Sequence, residues 1–195
     1  MLGPRIADST TTSRKMVIHF KPHSPFLVGL GTILIWFGWF AFNGASTANL
    51  SLRSIYVMIN TSKYYSGDGI KEAGSCLTDL AACGGGLGWV LLGFLYSRKF
   101  SILGFCSGII SGLVGITPAA GFVPVYTAAL IGFVTAVCCF YTNKYKHLLS
   151  IDEGLDIFAL HGVGGFVGDI LTGFFAASWA PALDGVSGDS YDGGW

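Results

Sequence analysis

The sequence predicts an all-α protein, a polytopic membrane bundle of about five transmembrane helices. Three observations carry that prediction. Of its 195 residues 52% are hydrophobic and 11% charged, where a soluble domain carries about 25% charged residues. No charge occurs between Pro22 and Leu52, and none between Phe100 and Asn143. A helix crosses a bilayer with about 20 apolar residues, so the first gap holds one crossing and the second holds two. Small residues also recur at close-packing intervals, as at Gly84 and Gly88, at Gly104, Gly108 and Gly112, and at Gly164 and Gly168. Such faces let helix backbones approach where lipid removes any hydrophobic drive to associate.

Taken in order, the first crossing is expected over 26–46. The second is split into 55–61 and 80–96 by a polar stretch. The third runs over 101–119 and the fourth over 122–142, joined by the charge-free turn Pro118-Ala-Ala-Gly121 with Pro124, residues that favour a turn. The fifth runs over 155–178. Its start signal is Ser150-Ile-Asp-Glu153, which fits a capping box, while Asp152, Glu153 and Asp156 suit the positive end of a helix dipole.

Basic residues cluster at Arg5 to Lys21, Arg98-Lys99 and Lys144 to Lys146, whereas the tail carries Asp184, Asp189 and Asp192. Basic loops stay on the cytoplasmic side, so the N-terminus is expected inside and the tail outside. Residues 1–25 then form a cytoplasmic loop, 26–178 the transmembrane part and 179–195 an extracellular tail. Met1 to Lys21 contains no apolar signal-peptide core. A formal net charge of zero removes the electrostatic case for nucleic acid. The five cysteines show no paired metal spacing, and neither a phosphate loop nor a nucleophile elbow is present, so no enzyme activity, metal or cofactor is expected.

Two features carry chemistry. His161 lies in the glycine-rich apolar run from Phe158 to Gly168. An imidazole in hydrocarbon is costly unless it faces a cavity or a partner, which makes it a functional candidate. Gly164, Gly165 and Gly168 follow it at three, four and seven residues and are expected on its face, giving it room. The first crossing ends in an aromatic cluster, with Phe42 followed by Asn43 and Ser46. It reads either as an interfacial aromatic belt or as a place where ring faces and a hydroxyl receive a small cation.

Three stretches resemble the ammonium transporter family: Trp36-Phe-Gly-Trp-Phe-Ala-Phe-Asn-Gly-Ala-Ser46, Cys106-Ser-Gly-Ile-Ile-Ser-Gly-Leu-Val-Gly-Ile-Thr-Pro-Ala-Ala-Gly121 and Asp156-Ile-Phe-Ala-Leu-His-Gly-Val-Gly-Gly165. Lys21-Pro-His-Ser24 and Asp192-Gly-Gly-Trp195 are similar to its fungal permease branch. The resemblance implies an eleven-helix fold of which this chain covers the sixth to tenth helices, a homotrimer in the plasma membrane, and one conduction path per subunit for ammonium, ammonia or methylammonium. It implies that Phe42 is an inner gate, Ser46 an ammonium-recruiting hydroxyl and His161 the second of two lumen histidines. Thr117, Asp156, Gly164, Gly165 and Gly168 support or pack the pore helices. In such a site desolvation strips ammonium of its proton, and neutral ammonia crosses the apolar lumen.

Three departures from the family accompany the match. The first histidine, the outer gate and the recruiting tryptophan belong to helices upstream of this chain, so the rival reading is a non-conducting fragment that associates with intact subunits. Residues 62–78 have no counterpart and read as a foreign insert of the kind a retained intron leaves. Asp169 stands where the family has a neutral polar residue. It reads as a proton-relay partner or as an acid near the outer helix end. Asp156 and Asp169 are also the only intramembrane carboxylates that an unrelated proton-coupled transporter could use.

Overall fold

A computed structural model describes residues 23–45, 61–64, 71–74, 77–146, 154–178 and 180. Ser46, the half-crossing at 55–60, the acids Asp152 and Glu153, and both termini lie outside the described residues. Helix α1 (Pro25–Ala45) opens with proline at its first position, where the missing N–H is one the helix leaves unpaired anyway. The Leu27 amide donates to Ser24 Oγ at 3.4 Å, the N-cap geometry serine favours.

Strands β1 (Thr61–Tyr64) and β2 (Lys71–Gly74) pair antiparallel, with Thr61 opposite Gly74 and Lys63 opposite Glu72. This small hairpin is an addition to the all-helical expectation. Helix α2 (Leu77–Ser97) follows. At 21 residues it is long and apolar enough to cross a membrane by itself, while the other half of the expected crossing lies outside the described residues. It also takes in Thr78, assigned above to the insert. Thr78 is fully buried and its Oγ1 accepts from Asn43 Nδ2 at 3.4 Å, so this residue is built into the bundle.

Helix α3 (Ile102–Ile116) is capped by Ser101, whose Oγ accepts from the Gly104 amide at 3.2 Å. It stops three residues before the expected end, because Pro118 has no N–H to donate to the preceding turn. The Thr117 hydroxyl covers the local deficit by donating to Leu113 O at 2.8 Å. Overlapping turns carry the chain through Gly121, whose φ of 81° suits only glycine. Helix α4 (Val125–Tyr145) starts after Pro124.

The fifth helix is wound in two ways: Phe158–Val163 forms a π turn, and α5 (Gly164–Phe175) continues it as α-helix. Gly154 and Leu155 are bends, and Asp156 holds a left-handed φ of 55°. The helix begins after Asp156, and the cap expected at Ser150 lies outside the described residues.

The helices alternate in direction. The end of α1 meets the starts of α2 and the end of α3 through side-chain hydrogen bonds. At the same end of the bundle, Ala177 N donates to Phe122 O at 2.8 Å, bringing the end of α5 to the α3–α4 turn. Helix α2 is central, packed between α3 and α4. Its Ala81 is the meeting point, since Gly112 of α3 and Gly132 of α4 both press their backbones against it. Ala81, Ile116, Ala128 and Ile131 form the core there, and Trp89, Cys139 and Leu160 form another toward the opposite end. By contrast, α1 buries only Thr32, Asn43 and Gly44. It leans on the bundle along one narrow stripe and leaves Phe26, Ile33, Leu34 and Phe37 exposed. Four of the described helices are long and apolar enough to cross a membrane, α3 being the shorter one.

Candidate functional site

The stripe on α1 is made by Trp36, Trp39 and Asn43, which fall three and four residues apart and so share one helix face. Trp36 Nε1 donates to Asp79 Oδ1 at 3.0 Å, in the first turn of α2. Trp39 Nε1 donates to Thr117 Oγ1 at 2.8 Å. Thr117 thus accepts from one helix while donating to Leu113 O of its own, using its hydroxyl in both directions. In an apolar setting these polar bonds attach α1 more firmly than its few packing contacts would.

Fixing the indole edge leaves the indole face presented sideways. The Trp39 and Phe42 rings lie 5.6 Å apart at 56°, and the Trp39 and His161 rings 6.3 Å apart at 33°. Phe42, Trp39 and His161 thus form a short aromatic row across the gap between α1 and the fifth helix, with Thr117 holding its middle member. Phe42 is 59% exposed, and His161 is exposed as well. The row is an open surface rather than an enclosed channel within this chain.

His161 sits in the π turn, and π turns occur often at functional sites. Cys139 Sγ donates to Leu160 O at 3.9 Å, which ties that turn to α4. The glycines behave differently from one another. Gly164 is buried, and a Cβ there would lie 3.2 Å from Cys139 Sγ. Gly168 is also buried, and a Cβ there would lie 3.0 Å from both Gly115 Cα and Pro118 Cγ. Gly165 faces open space, with nothing within 4 Å. The expectation that all three share the face of His161 is therefore corrected. The packed stripe runs Leu160, Gly164, Gly168, one position before His161, and His161 stands on its shoulder. The open Gly165 and the exposed Asp169 follow on that outer side.

Asp156 lies at the opposite end of the bundle from Thr117. Its carboxylate accepts from Asn143 Nδ2 at 3.0 Å and pairs with Lys146 of α4. An aspartate tolerates the left-handed conformation better than most residues. Asp156 thus latches the start of the fifth helix without touching the aromatic row. The residues brought together are Phe42, Thr117 and His161. Trp39, which joins them, was present in the sequence motif, but only its i, i+3, i+7 spacing with Trp36 and Asn43 signalled a shared face. Asp79 and Lys146 had no such signal, because their partners are more than a helix away or across a loop.

In chemical terms the row offers π faces that attract a cation and one imidazole that can donate or accept a proton. The model of the Ammonium Transporter Family matches residues 1–195. This chain is 45% identical to ammonium transporter MEP2 of Saccharomyces cerevisiae and 44% identical to ammonium transporter 1 of Schizosaccharomyces pombe, in each case over 100% of its own length and over 35% and 34% of theirs. The crystal structure of Candida albicans Mep2 matches with a TM-score of 0.75 at 46% identity, covering 93% of this chain and 36% of that one. The chain spans about a third of the length of the relatives it matches.

Proposed function

The chain belongs to the ammonium transporter family, and from that premise we propose that it forms one wall of a path for ammonium or ammonia across a membrane. The observation that supports this most is the row Phe42, Trp39, His161, lying on an open face between α1 and the fifth helix. Ammonium approaching from the outer end meets the aromatic faces first. Entering the apolar space disfavours its charge, so it gives up a proton, and neutral ammonia moves on past His161. The His161 imidazole holds or relays that proton, while Thr117 keeps Trp39 from rotating into the path. Ser46 adds a recruiting hydroxyl at the outer end.

The wider assignment follows the same premise. The protein acts in the plasma membrane with its basic loops inside and its tail outside, the hairpin region is the foreign insert, and the complete assembly is a trimer. The exposure of Phe42 and His161 favours a second reading, in which this chain alone does not conduct and instead associates with intact subunits.

Expression in yeast lacking its ammonium permeases separates the two. Growth on low ammonium, abolished by His161→Ala at unchanged membrane abundance, supports conduction. Absence of growth, together with co-purification with an intact subunit, supports the second reading. Methylammonium uptake that His161→Ala leaves unchanged would remove His161 from the path.

A further inference from the structure

We propose that a cavity at the basic end of the bundle binds the phosphate-bearing headgroup of an anionic phospholipid, with an acyl chain lying against the apolar wall beneath. The cavity has a volume of about 240 Å³ and lies among α2, the Arg98–Ser101 loop, the start of α3 and the end of α4. Trp89, Val90 and Phe140 line its apolar part; Ser97, Lys99 and Ser101 line its polar part. Gly93 also lines it, and a Cβ there would meet no atom within 4 Å, which shows the space from the backbone side.

Three polar groups of this cavity are free to donate into it, whereas the Ser97 hydroxyl spends its proton on Gly93 O at 2.7 Å. Trp89 is 6% exposed, and its Nε1 lies at the edge facing Gly104, where a Cβ would approach it to 3.2 Å. Both residues line the cavity, and the indole N–H makes no hydrogen bond among the described residues. The N–H opens into the cavity, where an acceptor could meet it. The Ser101 hydroxyl accepts from Gly104 N and so keeps its own proton to donate. Lys99 contributes a positive charge with three donors. A second cation stands close by, with Lys144 Nζ 3.3 Å from the centroid of the Tyr96 ring that lines the same cavity. Among the described residues no carboxylate lines it.

A ligand complementary to an indole N–H, a hydroxyl and an ammonium must be rich in acceptor oxygens and negative. One complementary to Val90 and Phe140 must also carry an apolar tail. A membrane phospholipid joins both, and its headgroup sits at the depth where the basic loop ends the helices. This inference rests on the membrane location alone and is independent of whether the chain conducts.

Native mass spectrometry of the full chain released from detergent micelles tests it, with phosphatidic acid and phosphatidylcholine of equal acyl length as probes. Retention of phosphatidic acid over phosphatidylcholine is expected. Lys99→Ala should lower that retention about fivefold, the factor for losing one surface cation. Gly93→Leu should fill the space and abolish it. The exposed Lys99 can be replaced without disturbing the fold, so the test survives if Gly93→Leu does not fold. Equal retention of the two lipids, retention unchanged by Lys99→Ala, or complete displacement of the lipid by inorganic phosphate would overturn the proposal.

Discussion

Replacing Gly132 by alanine should loosen the contact on which the bundle centre depends. A Cβ at Gly132 would lie 2.7 Å from Ala81 Cα, and the Ala81 carbonyl stands closer still. Ordinary carbon contacts fall at about 3.5–4.0 Å, so α4 must retreat from α2 by about 1 Å. It cannot do so by moving a flexible side chain, since the obstacle is backbone and Ala81 is fully buried. Helix α2 cannot yield in the other direction either, because a Cβ at Gly112 of α3 would already lie 2.9 Å from the Ala81 carbonyl carbon. Overpacking of this kind costs about 1–3 kcal/mol, against a helix-propensity gain from Gly→Ala of about 1 kcal/mol. The net expectation is a destabilisation of about 0–2 kcal/mol, and of about 1–3 kcal/mol relative to a glycine whose new Cβ is unopposed. Gly38→Ala is the control, because a Cβ at Gly38 meets nothing within 4 Å. It should be neutral or slightly stabilising. Thermal unfolding of the purified chain in detergent, followed by helical circular dichroism, reads both. If Gly132→Ala melts no lower than Gly38→Ala, the close backbone contact at Ala81 does not limit packing.

Other substitutions probe the remaining joints. Thr135 is fully buried and its Oγ1 has no hydrogen-bond partner among the described residues, so Thr135→Val should raise stability by about 1 kcal/mol in the same unfolding measurement, and a loss would reveal a partner for the hydroxyl. Trp39→Phe removes the bond to Thr117 and Trp36→Phe the bond to Asp79, each costing about 1 kcal/mol of stability. Methylammonium uptake in a full-length background should fall with the first much more than the second, and equal effects would show Trp39 to be only an attachment point. Asp156→Ala loses the Lys146 and Asn143 contacts while placing alanine at a φ of 55°, for a combined cost of about 3 kcal/mol. Asp156→Asn, which tolerates that conformation, should recover part of it, and no recovery would mean that the charge alone matters.

Much of the helical layout was legible because crossing a bilayer requires long apolar runs. The crossing expected over 26–46 is α1 at Pro25–Ala45, and that over 122–142 is α4 at Val125–Tyr145. The failures are local. Pro118, one residue before the expected end, stopped α3 at Ile116, since the chain reads as apolar well past the last donated hydrogen bond. The polar stretch before α2 read as lasting to Thr78, whereas α2 begins at Leu77 and takes Thr78 into its first turn. At the site, the histidine and phenylalanine were visible as misfits in an apolar run and as motif members. Trp39 was not separable from its aromatic neighbours, because three tryptophans or phenylalanines in one turn look alike until one finds a hydroxyl.

The sequence by itself determined that this chain lies in a membrane as a bundle of helices, that it resembles ammonium transporters, and that His161 and Phe42 merit attention. These follow from composition, from charge-free length and from contiguous motifs, all of which are local along the chain. Only the tertiary structure decided which glycines are contacts: Gly164 and Gly168 press on neighbours, and Gly165 does not. Only it showed that Trp39 joins His161 and Phe42 under the control of Thr117. The reason is physical. A helix face is defined to within one residue by its neighbours, and a π turn or an indole hydrogen bond shifts that choice in ways no spacing along the chain records.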